Sequence, residues 1–220
     1  MKYKAIIFDM DGTIVDTNMV WLAATRELLS RRDITLTPEL LRTIEERACG
    51  AGTIPACQAI KEVTGLVEPI ELLVEEKLIL AGELFAQGIR FIPGFPEFHT
   101  RMQEYNLKSS LATNADTIIL QVTNQILKLD RFFGTHLYNI AYVNNVCKPA
   151  PDVFLYAAKQ LNVRPEECIV VEDSHTGLTA AKEAGMFCIG INSNKNRAAL
   201  ARADIIIDGY HEVDLEQLLH

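Results

Sequence analysis

A short apolar run that ends in two acids and a glycine opens this chain: residues 5 to 17 read A-I-I-F-D-M-D-G-T-I-V-D-T. Ala5 to Phe8 has the character of a buried strand. Asp9, Asp11, Gly12 and Thr13 come directly after it, so the strand delivers charge to the rim of a sheet. In open α/β sheets, ligands bind at that rim. The same residues also suit a tight turn, because Asp-Gly between apolar residues is a hairpin signal. A calcium loop is excluded. Gly12 stands too close to Asp9, and no bidentate Glu occurs at the required distance.

The pattern beyond Asp16 turns helical and stays so for about seventy residues. Asn18 to Arg31 forms the first helix, and Thr37-Pro38-Glu39 starts a second with a hydroxyl cap and a proline in its first turn. Cys49-Gly50-Ala51-Gly52 interrupts, Thr53 is placed as the next cap, and that helix stops before Gly65. A longer helix begins after Pro69 and ends near Gly88. With no strand in it, this block reads as an all-helical unit, 16–89, inserted into a core made of 1–15 and 90–220.

From Ile92 onward, helices and strands alternate. Strands are expected at 107–112, 138–143, 168–171, 187–191 and 203–207, with helices between most of them. This spacing argues for an α/β fold, Rossmann-like, with a mostly parallel sheet and helices on both faces.

Three later polar clusters also come after apolar runs: Thr113-Asn114, Lys148 and Glu172-Asp173. In a parallel sheet, the carboxyl ends of the strands share one edge, so groups after different strands can converge. Each cluster has an ordinary alternative. Thr113-Asn114 can cap a helix, Lys148 can be a solvated lysine, and Glu172-Asp173-Ser174 can open a helix.

Composition narrows the classes. The net charge of −8 disfavours nucleic acid and anionic membranes as partners. No apolar stretch is long enough to span a bilayer, and Asp9 breaks the N-terminal run too early for a signal peptide. The five cysteines are widely spaced and form no C-x-x-C pair, which suits reduced thiols and a cytoplasmic location.

Taken in order, F-D-M-D-G-T-I-V-D-T, A-T-N-A, C-K-P-A-P-D and V-V-E-D-S-H-T-G-L-T-A-A-K-E-A-G resemble the four motifs of the haloacid dehalogenase superfamily of phosphohydrolases. The helical insert is similar to the cap of its phosphoglycolate-phosphatase and β-phosphoglucomutase branch. The resemblance implies Asp9 as a nucleophile that forms an aspartyl-phosphate, and Asp11 as general acid and then base. It implies a Mg²⁺ site made of Asp9, the Asp11 carbonyl and Asp173, with Glu172 either a direct ligand or a partner of one. Lys148 would hold the nucleophile and the transferring phosphoryl group. Thr113, Asn114 and the backbone around Gly12 would bind the phosphate oxygens.

The implied substrate is a small phosphate ester, and the implied state a monomer or weak dimer. Dehalogenases of this superfamily lack a carboxylate at the position of Asp11, so phosphoryl transfer is favoured. The similar mutases carry a histidine about twelve residues past the nucleophile, where this chain reads Met19-Val20-Trp21. A phosphatase is therefore expected ahead of a mutase. A signalling phospho-acceptor or a non-catalytic binding protein on the same fold is a more distant alternative. Trp21, Arg47, the Gly50–Thr53 loop and Lys77 are the candidates for setting specificity.

Overall fold

The computed structural model describes residues 2–48 and 52–219. The expected interruption at Cys49, Gly50 and Ala51 lies outside the described residues. Six parallel strands form one sheet in the order β3-β2-β1-β4-β5-β6. They are β1 (Ala5–Phe8), β2 (Lys108–Thr113), β3 (Leu137–Asn139), β4 (Cys168–Glu172), β5 (Phe187–Ile191) and β6 (Ile205–Ile207).

Between β1 and β2 run α1 (Asn18–Ser30), α2 (Pro38–Ala48), α3 (Thr53–Thr64), α4 (Ile70–Ala86) and α5 (Phe95–Glu104). The later helices are α6 (Thr117–Leu127), α7 (Asp130–Phe133), α8 (Asp152–Gln160), α9 (His175–Glu183) and α10 (Leu215–Leu219). None is long and apolar enough to cross a membrane.

The period-2 alternation of β1 builds both layers of the core. Ile6 and Phe8 face one cluster, where Phe8 meets Phe95, Phe98 and Phe133 at centroid distances of 5.5, 6.2 and 5.8 Å. Ala5 and Ile7 face the other, packed with Val153, Phe154 and Ala157 of α8 and Leu178 and Ala181 of α9. β1 is hydrogen-bonded on both edges, to β2 and β4, so the residues after Phe8 emerge mid-sheet.

The chain crosses between α1–α4 and the sheet at two adjacent points. Asp16 N donates to Arg90 O (2.9 Å), and Ile92 N donates to Ile14 O (2.9 Å).

Two local expectations need correction. The strand expected over 138–143 is shorter: after Asn139 the chain turns into a 3-10 helix, Ile140–Val143. β3 is the sheet edge, with only β2 to pair against, so ladder bonds do not hold this segment extended. Thr53 is the first residue of α3 and not its cap. Gly52 precedes it at φ 94°, and the Thr53 hydroxyl donates instead to Asp116 Oδ2 (2.8 Å).

His99 on α5 carries a stability prediction. Its ring is buried among Phe95, Phe132 and Phe133, with Nε2 3.0 Å from Ser109 Oγ. Burial pushes it down from 6.5 to about 4. The unfolded chain therefore protonates this imidazole before the folded one does. Its contribution is complete above the unfolded value and is lost as pH falls toward 4, by about 2 kcal/mol at pH 5. Urea titrations near neutrality and near pH 5 are expected to show that extra loss in the wild type and not in His99→Phe. Equal losses in the two proteins would contradict it.

Candidate active site

All four motif clusters meet at the carboxyl edge of the sheet. The register pairs Phe8 with Leu111 of β2 and with Val171 of β4, so Asp9, Thr113 and Glu172 emerge side by side. Asp9 N donates to Val171 O (3.1 Å), which fixes the Asp9 backbone against β4. Gly12 takes φ +74°, and Thr13 N donates to Met10 O (3.3 Å), closing a turn with Asp11-Gly12 at its centre, though not a hairpin between strands. It serves to bring Asp11 back over the end of β1.

Lys148 is the hub. Its ammonium is buried and lies 2.6 Å from Asp9 Oδ1, 3.0 Å from Glu172 Oε1 and 4.5 Å from the Phe154 ring centroid. The solvated alternative for this lysine does not hold. Asn114 Oδ1 accepts from the Lys148 backbone N–H (2.9 Å), tying the end of β2 to the lysine loop. Thr113 Oγ1 accepts from Ala115 N (3.0 Å), which leaves its proton available to donate. Neither residue caps α6, whose N-cap is Asp116.

Glu172 has both oxygens engaged. Oε1 takes Lys148, and Oε2 accepts from Ser174 N (2.7 Å) and Ser174 Oγ (2.8 Å). Ser174 also caps α9 by accepting from Gly177 N (3.0 Å), so the helix-start reading of this motif holds. Two glycines make room for the carboxylates. A Cβ on Gly177 would lie 1.6 Å from Glu172 Oε1, and one on Gly12 would lie 2.1 Å from Asp173 Oδ2.

Asp11 Oδ1 accepts from Thr17 Oγ1 (2.6 Å) and from Trp21 Nε1 (3.0 Å). Asp173 Oδ2 accepts from Asn194 Nδ2 (2.6 Å), and Asn194 in turn accepts from Asn18 at the start of α1.

One oxygen from each of Asp9, Glu172 and Asp173 lies within 4.8 Å of the others. At an effective dielectric of about 20, each such carboxylate pair repels by roughly 3 kcal/mol, so one lysine does not neutralise three acids. Burial, with Lys148 opposing and Glu172 and Asp11 adding, pushes Asp9 up to about 7. Burial, Glu172 and Asp9 push Asp173 well above the carboxylate range. Burial also raises Asp11, against the bonds from Thr17 and Trp21. For Lys148, the burial penalty is outweighed by Asp9 and Glu172, and its pKa rises. An all-oxygen, over-acidic cluster of this kind fits a hard divalent cation.

The specificity candidates part company. Lys77 on α4, a solvated residue by its sequence surroundings, is buried 5.9 Å from the Trp21 ring centroid, and it forms no ion pair among the described residues. Burial lowers its pKa. Trp21 is half-buried, its ring set edge-on to Phe85 of α4 at 5.9 Å. Arg47 is exposed and paired with Glu62 (3.5 Å). Of the Gly50–Thr53 loop, Gly50 and Ala51 lie outside the described residues. Gly52 neighbours the backbone of Asn114 at ordinary contact distance: a Cβ added to it would lie 3.5 Å from that carbonyl oxygen.

Sequence reading missed Thr17, Gly177 and Asn194, and it weighed Trp21 as a specificity candidate or a core residue, not as a partner of Asp11. Asn194 was findable: it comes after β5, so topology alone assigns it to the same edge.

Known proteins resemble this chain over most of its length. Residues 3–185 match the family model described as haloacid dehalogenase-like hydrolase. The β-phosphoglucomutase of Bacillus subtilis is 27% identical over 99% of this chain and 94% of its own length. A probable pseudouridine-5'-phosphatase of Drosophila melanogaster is 30% identical over 84% of this chain and 80% of its own. The crystal structure of β-phosphoglucomutase from Clostridium difficile superposes with a TM-score of 0.83 at 26% identity, covering 99% and 96% of the two chains.

Proposed function

Because the chain belongs to the haloacid dehalogenase-like hydrolase family, we propose that it is a phosphoric monoester hydrolase acting on a small phosphorylated metabolite, such as a sugar phosphate or phosphoglycolate. One observation carries this reading: the buried Lys148 ammonium joins Asp9 to Glu172 at the end of β1, with Asp11 two residues on.

In the proposed reaction, Asp9 attacks phosphorus in line. The Asp9 O–P bond forms as the ester P–O bond breaks. Asp11 gives its proton to the departing oxygen. It then takes a proton from the water that attacks the aspartyl-phosphate, which releases phosphate and restores both acids. Lys148, Thr113 and Asn114 hold the transferring oxygens, and the narrow turn at Gly12 brings backbone amides to them.

Asp9, Asp173 and the Asp11 carbonyl would hold Mg²⁺, with Glu172 behind them because both of its oxygens already have partners. The ion would neutralise negative charge on the phosphate and the acids around it. Residues 16–89 act as a cap over this site, and Lys77 is their strongest candidate for reading the substrate. The absence of a nucleic-acid or membrane partner, a cytoplasmic location and a monomeric or weakly dimeric state belong to the same reading.

The similarity to two β-phosphoglucomutases keeps a mutase as the second reading. Against it, none of the five histidines falls within 16–89.

The test is phosphate release from an aryl phosphate. It is expected to require Mg²⁺, to stop on chelation with EDTA and to return when Mg²⁺ is restored. Activity undiminished by exhaustive chelation would count against the metal site. A requirement for a bisphosphate primer, with phosphate moved between carbons, would favour the mutase.

A further inference from the structure

Asp11 is held in an asymmetric way. Both of its hydrogen-bond donors, Thr17 Oγ1 and Trp21 Nε1, converge on Oδ1, and among the described residues Oδ2 has no partner. A carboxylic acid carries one proton. With Oδ1 accepting two hydrogen bonds, Oδ2 is the oxygen left to exchange a proton with a substrate.

The second donor also has a particular origin. Trp21 lies on α1, beyond the chain crossing at Asp16–Arg90, and its indole packs edge-on against Phe85 of α4 (5.9 Å). The N–H that orients Asp11 is therefore supplied by the helical insert and braced by a second helix of it.

We infer that Trp21 is a positioning residue for Asp11: its indole N–H, with Thr17, fixes Oδ1 and so turns Oδ2 toward the leaving oxygen. This deepens the proposed phosphatase reading and rests on it. Seating of the insert and readiness of the acid become a single event, because the insert brings the donor. Trp21 itself need not touch the substrate.

The test uses leaving groups of different acidity. A good aryl leaving group departs without a proton, whereas an alkoxide needs one in the transition state. kcat/KM reports steps through loss of the leaving group, so it isolates the half-reaction in which Asp11 is the acid. Trp21→Phe keeps an aromatic ring beside Phe85 while removing the N–H and part of the indole's volume, and the volume change acts on both substrates alike. It is expected to lower kcat/KM for an alkyl phosphate by roughly ten- to a hundred-fold, within the usual contribution of general acid catalysis. For an aryl phosphate with an acidic phenol, the change is expected to stay within about two-fold.

An equal loss for both substrates, or no loss for either, would overturn the inference while leaving the hydrolase intact. Failure of the wild type to hydrolyse any phosphate ester would overturn the proposed function and this inference with it. A readout independent of turnover exists because Trp21 is the only tryptophan. Its single indole N–H resonance is expected to shift in Asp11→Ala, and an unmoved resonance would contradict the contact.

Discussion

Asp9→Asn is expected to reduce phosphate release by on the order of 10⁴-fold or more, in line with the loss when other covalent nucleophiles are removed. The amide cannot attack phosphorus, and no neighbour can take over. Glu172 is locked by Lys148 and Ser174, Asp11 is turned toward Thr17 and Trp21, and Asp173 is held by Asn194. The same change is not expected to unfold the protein. A neutral amide in place of Asp9 removes the burial cost of its charge and the repulsion from Glu172 and Asp11, which together offset the lost attraction to Lys148, and Lys148 keeps Glu172 as its counter-ion. A thermal midpoint equal to or above that of the wild type should therefore accompany the lost activity. A variant that kept most of its rate would remove Asp9 from the chemistry. A variant that lost activity by melting would show that the pair with Lys148 is chiefly structural.

Gly177→Ala is the second large effect, and it works through a residue that touches no substrate. The added methyl would sit 1.6 Å from Glu172 Oε1 and 1.9 Å from its Cδ, so the carboxylate must leave. The first turn of α9 cannot retreat easily, because Ser174 Oγ holds Gly177 N. Glu172, still buried, would lose Lys148 and both Ser174 donors, a stranded charge that Asp9→Asn does not create because Lys148 there keeps Glu172. Breaking a buried ion pair from one side costs about 3–5 kcal/mol, or a fall of roughly 10 °C in the midpoint for a chain of this length. Activity should fall as well, since Lys148 is then drawn more tightly onto Asp9. Calorimetry of Gly177→Ala beside Gly82→Ala is the measurement. Gly82 is in a helix with nothing within 4 Å of its Cβ position, so it controls for glycine alone. Equal midpoints in the two variants would contradict the crowding argument.

Much of this was legible from the residues. β1 and β5 fall where an apolar run says they should, because each is an apolar segment with isoleucine and phenylalanine, ended by a polar residue. The convergence of Asp9, Thr113, Lys148 and Glu172 comes from parallel topology, which needs only strand order and handedness to be anticipated. What escaped are contacts set by three-dimensional packing. Lys77 looks solvated because its neighbours Glu75 and Glu76 are charged, yet helix phase turns it inward toward Trp21 while those acids face outward or meet Arg32. Trp21 looks like core because an indole usually is. Its N–H partner lies ten residues back across a turn that one must already know. Gly177 reads as an indifferent residue in a small-residue helix, and only the position of the Glu172 side chain shows why a methyl is excluded. Periodicity gives the face of an element, whereas the partner on that face comes from the fold.

The most direct test of phosphoryl transfer through Asp9 is an acid quench of the Asp11→Asn variant turning over a radiolabelled aryl phosphate. The acidic phenol leaves without help, so Asp9 is phosphorylated. Without Asp11 as base, water attacks the intermediate slowly and the intermediate accumulates. The expected result is label approaching one phosphoryl group per site, on the peptide that contains Asp9, and lost in hydroxylamine. Steady phosphate release with no protein-bound label, or label on any other residue, would contradict it.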